Sequence, residues 1–163
     1  MAKKTDLVDA LIKDWANEIP NMSTCGIGVA GRILRLGRQF EARVNALLKP
    51  HGLSYTDFDV LATLRRSGVP YRLPPTQLMK SVLITSGAMT AALDRLTRVK
   101  MIKRAPHKTD RRSFTAELTP KGKAAIEKVL SLRFEDAENS INHLSNKDIK
   151  QLEILLRKLT LRD

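Results

Sequence analysis

The chain has 163 residues, of which 29 are Lys or Arg and 17 are Asp or Glu, so its net charge is +12. This length is enough for one compact domain with its own hydrophobic core. The positive charge favours a polyanionic partner, most often nucleic acid. The single cysteine excludes an intramolecular disulfide, and neither a secretion signal nor an apolar run of roughly 18 residues is present. We therefore expect a cytoplasmic protein that does not insert into a membrane.

Two amphipathic helices are predicted in the first 50 residues. Apolar residues recur every three or four positions from Asp6 to Ile19, before Pro20, and again from about Thr24 to Lys49. Glycines inside the second helix weaken it, and since no strand precedes them they do not form a phosphate loop. We interpret them as sites of close helix packing: Gly26, Gly28, Gly31 and Gly37.

A helix-turn-helix is predicted next. Ser54 begins a capping-box pattern, Pro75 is suited to a first helical turn, and Thr85 or Ser86 can cap a longer amphipathic helix. The predicted helices span about 54–67, 75–80 and 85–100, and 69–75 is predicted to be a loop.

A basic hairpin and two helices complete the pattern. Strands are predicted at 101–105 and 112–118 around a charged turn at 106–111, because the second strand alternates polar and apolar residues. Thr119, followed by proline, and Ser145 begin the last two helices. The helices at both ends of the chain have more apolar surface than a small winged-helix core could cover. We infer that they pack into a dimer interface.

This order of elements predicts a mainly α fold with a small β-wing, an α+β winged helix-turn-helix joined to a helical dimerisation region with an extra N-terminal helix. We treat residues 1–163 as one domain. Its parts are the N-terminal and dimerisation helices at 1–50, the winged helix-turn-helix at 54–118, and the C-terminal dimerisation helices at 119–163.

The predicted recognition helix is suited to the major groove of double-stranded DNA. Small or polar residues near its start allow the backbone to approach the bases, and arginines one turn later reach phosphates. The predicted contacts on this helix are Ser86, Gly87, Thr90, Ala91, Arg95 and Arg98. In the wing, which is suited to a narrow minor groove, the candidates are Lys108, Arg111 and Arg112, the last sharing a structural role with Asp110.

These segments resemble the MarR family of transcriptional regulators. The resemblance lies in Ser-Gly-Ala-Met-Thr at 86–90, Leu-Asp-Arg-Leu at 93–96, and the spaced set Asp110, Arg112, Ser113, Leu118, Thr119 and Gly122. It implies a homodimer of winged-helix subunits, usually a repressor. It also implies that DNA affinity falls when a small ligand binds between the dimerisation helices and the DNA-binding lobe.

A narrower resemblance is to the urate-responsive PecS/HucR branch of that family. It lies in Asp14-Trp15 on the extra helix, His51-Gly-Leu53, the string Phe-Asp-Val-Leu-Ala-Thr-Leu at 58–64, and Pro-Tyr-Arg-Leu at 70–73. The branch implies a ligand site made of a tryptophan, an acid and two arginines, and the matching residues are Trp15, Asp59 and Arg104.

The fourth ligand position departs from the branch, because Ala92 stands where the recognition helix is expected to carry an arginine. A charge-assisted hydrogen bond is worth about 1.5 to 3 kcal/mol, so its loss argues against urate as the effector. An anionic small molecule remains a candidate effector. Ala91 likewise replaces an asparagine on or near the groove face, which predicts an altered operator preference.

Two other functions remain open. One is a sequence-independent, basic chromosome-binding protein, and the other is a redox sensor that uses Cys25. His51, His107 and His143 lack the spacing of a zinc site, so no metal or other cofactor is expected. No nucleophile and base pattern indicates an enzyme. We predict a homodimer whose recognition helices enter successive major grooves about 34 Å apart, and hence a pseudo-palindromic operator.

Overall fold

The computed structural model describes residues 5–82, 86–106 and 114–161, which are mainly helical with a small antiparallel sheet. The predicted fold class is confirmed. The helices are α1 (Leu7–Glu18), α2 (Cys25–Leu48), α3 (Tyr55–Arg66), α4 (Pro75–Ser81), α5 (Ser86–Arg98), α6 (Pro120–Ile141) and α7 (Asn146–Thr160), and the strands are β1 (Arg72–Leu73), β2 (Ile102–Pro106) and β3 (Phe114–Leu118). A short 3₁₀ turn at Lys49–His51 follows α2. The chain divides into two compact units, Met1–Ala46 and Leu47–Asp163.

In the first unit, α1 and α2 are joined by an ion-pair cluster. Asp6 caps α1 in a capping box with Asp9. Arg32 of α2 reaches both carboxylates, with Nε 3.0 Å from Asp6 Oδ2 and Nη2 2.6 Å from Asp9 Oδ1. Because all three side chains are partly exposed, the cluster contributes little to stability, and its main effect is to fix α1 in place on α2.

The glycines of α2 do not all serve close packing. A Cβ on Gly28 would lie 2.9 Å from Ile12 Cδ1, and one on Gly31 would lie 3.4 Å from Val8 Cγ1, so the interpretation is confirmed there. Within the described chain it does not extend to Gly26 and Gly37, where a Cβ would meet no described atom within 4 Å. Periodicity alone cannot tell which turns of a helix face a neighbouring helix.

The core of the second unit is formed by α3 to α6 and the sheet. Its largest fully buried side chains include Leu61, Leu64, Leu78, Met89, Leu96, Ile102 and Ile126. The predicted caps are present at three helices, because Ser54, Thr119 and Ser145 each accept a hydrogen bond from a backbone N–H three residues later. Ser86 is the first residue of α5 and therefore not its cap, and Thr85 lies outside the described residues.

The sheet has the strand order β1-β3-β2, with antiparallel pairing throughout. The segment 69–75 was predicted to be a loop, but Arg72 and Leu73 pair with β3 as β1. A two-residue strand is too short to display alternation, which is why the sequence pattern missed it. β2 extends to Pro106 rather than ending before it, and a proline is tolerated there because β2 is an edge strand.

One row of charged residues crosses this sheet from β1 through β3 to β2. Glu117 on β3 lies opposite Arg72 on β1 and Lys103 on β2. It forms a short ion pair with Arg72 and lies 2.9 Å from Lys103 Nζ. Hydrogen bonding from Lys103, and then the charge and hydrogen bonding of Arg72, lower the pKa of Glu117 despite its partial burial.

The start of α6 is locked against the end of α5. Thr119 donates from Oγ1 to the carbonyl of Lys100, and its backbone N–H donates to that of Met101, at 2.8 and 3.1 Å. Gly122 is buried here, and a Cβ at this position would lie only 1.9 Å from the Met101 carbonyl oxygen. The glycine is required because the backbone of the α5–β2 connection occupies the space of a side chain.

Candidate nucleic-acid interface and ligand cavity

One face of α5 is exposed and carries the predicted DNA contacts. Met89, Ala92, Leu93 and Leu96 are buried. The opposite side is exposed at Gly87, Thr90, Ala91, Asp94, Arg95 and Arg98. The helix therefore presents small and polar groups at its start and cations at its end, as major-groove binding requires. The contacts with DNA stay a prediction.

Arg95 is held by the buried carboxylate of Asp57, which lies on α3. Its Nη2 is 2.7 Å from Asp57 Oδ1, its Nε is within 3.1 Å of both carboxylate oxygens, and Nη2 also lies 3.3 Å from Ser54 Oγ. Asp57 in turn accepts from the Ser54 backbone N–H at 3.0 Å. Since 44% of the Arg95 side chain remains exposed, its outer edge can still reach a phosphate.

Arg98 is the less constrained of the two arginines on this face. It is exposed, and it forms no salt bridge within the described part of the chain. A cation of this kind contributes phosphate affinity without first leaving a carboxylate partner. Of the two arginines, Arg98 is therefore the better candidate for a phosphate contact, while Arg95 fixes α5 against α3.

The wing candidates Lys108, Arg111 and Arg112 lie outside the described residues, as does Asp110. The strands that lead to the wing are described, and Arg104 on β2 ties them to α5. Its guanidinium forms a short ion pair with Asp94 and lies over the Phe114 ring, 4.5 Å from the centroid. Arg104, which the family resemblance places in a ligand site, thus links the first strand of the wing to the recognition helix.

A cavity of about 520 Å³ lies among α3, the end of α4 and α6, all within the second unit. Its apolar lining residues are Phe58, Ala62, Leu130, Phe134 and Ala137. Its charged lining residues are Asp59, Arg65, Arg66 and Arg133. The predicted ligand residue Asp59 therefore lies in a cavity of suitable size for a small molecule.

Asp59 is half-buried in this cavity. Burial raises the pKa of its carboxyl group, and the charges of Arg66 and Arg133 oppose that rise. Arg66 Nη2 also donates to the backbone carbonyl of Ser81, the last residue of α4, at 2.9 Å. The sequence analysis missed both arginines, although Arg66 lies two turns after Asp59 on the same helix and the spacing could have identified it.

The other two predicted ligand residues are Trp15, in the first unit, and Arg104, on β2 of the second unit. Trp15 is half exposed in the first unit, where it lines a smaller apolar cavity of about 200 Å³ with Ile19, Met22 and Ile27. Ala92 is fully buried on α5. Arg104 is absent from the described lining of the 520 Å³ cavity.

Comparison with known proteins decides the family. A model of the MarR family matches residues 51–113. The transcriptional regulator PecS of Dickeya dadantii is 30% identical over 159 residues, which cover 98% of this chain and 95% of PecS. The multiple antibiotic resistance protein MarR of Salmonella typhimurium is 31% identical over 131 residues, covering 79% of this chain and 89% of that protein.

The chain belongs to the MarR family. A mutant MarR from E. coli complexed with operator DNA superposes with a TM-score of 0.72 at 25% identity, over 95% of this chain and 99% of that one. AbsC, a MarR family regulator from Streptomyces coelicolor, shares the fold with a TM-score of 0.76 at 21% identity, over 86% and 95% of the two chains. As a MarR family member, this protein is a DNA-binding transcriptional regulator.

Three further findings bear on the other predicted properties. No helix among the described residues is long and apolar enough to cross a membrane. In residues 5–82, 86–106 and 114–161, no three His, Cys, Asp or Glu side chains are grouped as metal ligands. Cys25, the thiol of the redox alternative, is an exposed residue at the start of α2.

Proposed function

We propose that this MarR family protein is a homodimeric repressor that binds a pseudo-palindromic operator and releases it when a small molecule binds. The proposal of DNA binding is supported above all by the exposed polar and cationic face of α5, which the Arg95–Asp57 ion pair holds in place. Two such helices per dimer, about 34 Å apart, would read successive major grooves. The DNA backbone would supply affinity through Arg98 and the wing cations.

The dimer proposal is supported by apolar surface that the chain leaves exposed. α7 contains no buried residue, yet one stripe of it carries Leu152, Leu155, Leu156 and Leu159, each 42–48% exposed. In the first unit, α2 likewise exposes Ile27, Ile33, Leu34 and Phe40. Contiguous apolar faces of this kind mark interfaces, and a lone 15-residue helix is only marginally stable in water.

Sequence-specific binding is tested with an operator selected from a random duplex library. In a mobility-shift assay, unlabelled operator should compete far better than a scrambled duplex. R98A should weaken binding and reduce the salt slope by about 0.9 per lost phosphate contact, while the control R38A on α2 should not. Equal competition by the scrambled duplex would instead indicate a sequence-independent chromosome-binding protein.

Dimerisation is tested at the α7 stripe by sedimentation equilibrium. L155D places a charge in the apolar stripe and should convert the dimer to a monomer. E153Q changes an exposed residue of the same helix, outside the leucine stripe, and should leave the dimer intact. A monomeric parent protein at micromolar concentration would refute the homodimer.

The ligand response is supported by the 520 Å³ cavity, since it borders α4, the helix that precedes the reader. Titration of urate, xanthine and small organic anions into the protein–operator complex tests it by loss of the shifted band. By linkage, a ligand that weakens DNA binding must bind less tightly to the DNA complex by the same factor. Release by urate at low micromolar concentration would contradict the argument from Ala92.

A further inference from the structure

The exposed face of α5 carries one acidic residue among small and cationic ones. Each helical residue turns by about 100°, so Gly87, Ala91, Asp94 and Arg98 lie along one ridge, within about 60° of one another. This ridge lies opposite the buried side of the helix, and 51% of the Asp94 side chain is exposed. A carboxylate on a DNA-facing ridge repels phosphates and weakens binding unless its charge is neutralised.

Arg104 neutralises Asp94 from the strand that leads to the wing. Its guanidinium forms a short ion pair with Asp94 and lies over the ring of Phe114 on β3, 4.5 Å from the ring centroid. The carboxylate and the ring together restrict the guanidinium, yet 43% of the Arg104 side chain remains exposed. The face of α5 therefore presents a hydrogen-bond acceptor and a set of donors side by side.

This order of groups matches one base pair in the major groove. A C·G pair presents the N4 amino donor of cytosine beside the O6 and N7 acceptors of guanine. An ionised aspartate only accepts hydrogen bonds and an arginine only donates them. A T·A pair would instead present the O4 acceptor of thymine to the carboxylate and the N6 donor of adenine to the guanidinium. The same ion pair therefore attracts C·G and opposes T·A.

We propose that Asp94 and Arg104 form a specificity-determining pair that reads one C·G base pair in each half of the operator. Asp94 accepts from cytosine N4, and Arg104 donates to guanine. This assignment rests on the proposed sequence-specific binding and names residues that supply the specificity, which a phosphate contact such as that of Arg98 does not. It gives Arg104 a role at the DNA surface that is separate from the ligand-binding role implied by the family resemblance.

Selection of operators from a random duplex library, followed by sequencing, measures base preference at every position. The parent should prefer C·G over T·A about 5- to 100-fold at one position in each half-site. D94A should lose this preference and keep the others. D94N, whose amide also donates, should admit thymine there. R98A is the matched control, because loss of a phosphate contact should weaken binding to all sequences and leave every preference unchanged.

Modified operators test the two hydrogen bonds one at a time by fluorescence anisotropy. N4-methylcytosine blocks the amino hydrogen in the major groove, and 7-deazaguanine removes the N7 acceptor, while both keep the base pair. Each should weaken binding by the parent. N4-methylcytosine should cost D94A nothing further, and 7-deazaguanine should cost R104A nothing further. Thermal unfolding by circular dichroism establishes that the variants are folded, and D94N replaces D94A in the assay if D94A is not.

A purely structural role for the pair predicts a different result. D94A and R104A would then lower affinity for all duplexes by the same factor and change no base preference, which would overturn the proposal. Equal losses from N4-methylcytosine in the parent and in D94A would overturn it as well. Failure of the proposed function is distinguishable from both, because the parent itself would then select no operator and would bind scrambled duplexes equally well.

Discussion

The ion pair between Arg95 and Asp57 should be a principal link between the recognition helix and α3. Asp57 is buried, with 4% of its side chain exposed, and it accepts hydrogen bonds from Nε and Nη2 of Arg95 and from Ser54. Replacing Arg95 with Ala leaves that carboxylate buried without its opposite charge. R95A should therefore lower the free energy of unfolding as well as DNA affinity.

The loss of free energy of unfolding expected for R95A follows from the exposure of the two side chains in the pair. Removing one partner of a fully buried pair costs about 3 to 5 kcal/mol, and a hydrogen bond to a charged group is worth about 1.5 to 3 kcal/mol. Because 44% of the Arg95 side chain is exposed, water screens the pair and the lower range applies. We expect R95A to cost about 2 kcal/mol. D57A, which also removes the reciprocal cap at Ser54, should cost about 3 kcal/mol.

A double-mutant cycle by urea unfolding measures the pair directly. All variants are compared at one protein concentration, since dimer stability depends on concentration. The R95A/D57A protein should be about as stable as D57A alone, which gives a coupling of about 2 kcal/mol. Arg98 lies on the same exposed face and has no carboxylate partner among the described residues, so R98A should stay within about 0.5 kcal/mol of the parent. Additive costs for R95A and D57A, within about 0.5 kcal/mol, would refute the reasoning.

Three further changes have defined outcomes. G122A should lower the free energy of unfolding by about 1 to 3 kcal/mol in the same urea assay, because its Cβ would overlap the backbone of Met101. The control G26A should be neutral or slightly stabilising. Equal effects of the two substitutions would contradict the close approach of the Met101 backbone to Gly122. Folding lowers the pKa of Glu117, so the ionised carboxylate stabilises the folded protein. This contribution to the free energy of unfolding is complete above the unfolded pKa and is lost as the pH falls through the folded pKa. The difference in free energy of unfolding between the parent and E117Q, measured by urea unfolding at several pH values, should therefore close in acid. A difference that does not change with pH would contradict the stabilising role of the Glu117 carboxylate. D59N should be more stable than the parent at neutral pH, because burial disfavours the charged Asp59 carboxylate and raises its pKa. This advantage should shrink as the pH falls through the raised pKa, and urea unfolding that shows no gain at neutral pH would contradict it.

The elements themselves were predictable because their signals are local. Ser54, Thr119 and Ser145 act as caps where the sequence predicts them, and each interaction spans only three residues. The buried and exposed sides of α5 follow from its own periodicity. β1 was missed because two residues carry no period, and its pairing with β3 is a long-range contact.

The candidate site was predictable only in part. The sequence predicts Asp59 as a ligand residue and the α5 face as the DNA-reading surface, and both stay predictions. It could not show that Arg95 pairs with Asp57, 38 residues away, or that Arg104 pairs with Asp94. It also did not show that Arg66 and Arg133, from different helices, face the same cavity as Asp59.

The sequence by itself thus determined the order of the helices and of the strands β2 and β3, the caps at Ser54, Thr119 and Ser145, and membership in the MarR family. Tertiary structure decided which cations are committed to carboxylates and which are available to a phosphate or a ligand. The physical reason is the range of the interactions. Periodicity and capping act over one or two helical turns, whereas the partner of a charged side chain depends on which distant segments packing brings within about 3 Å of it.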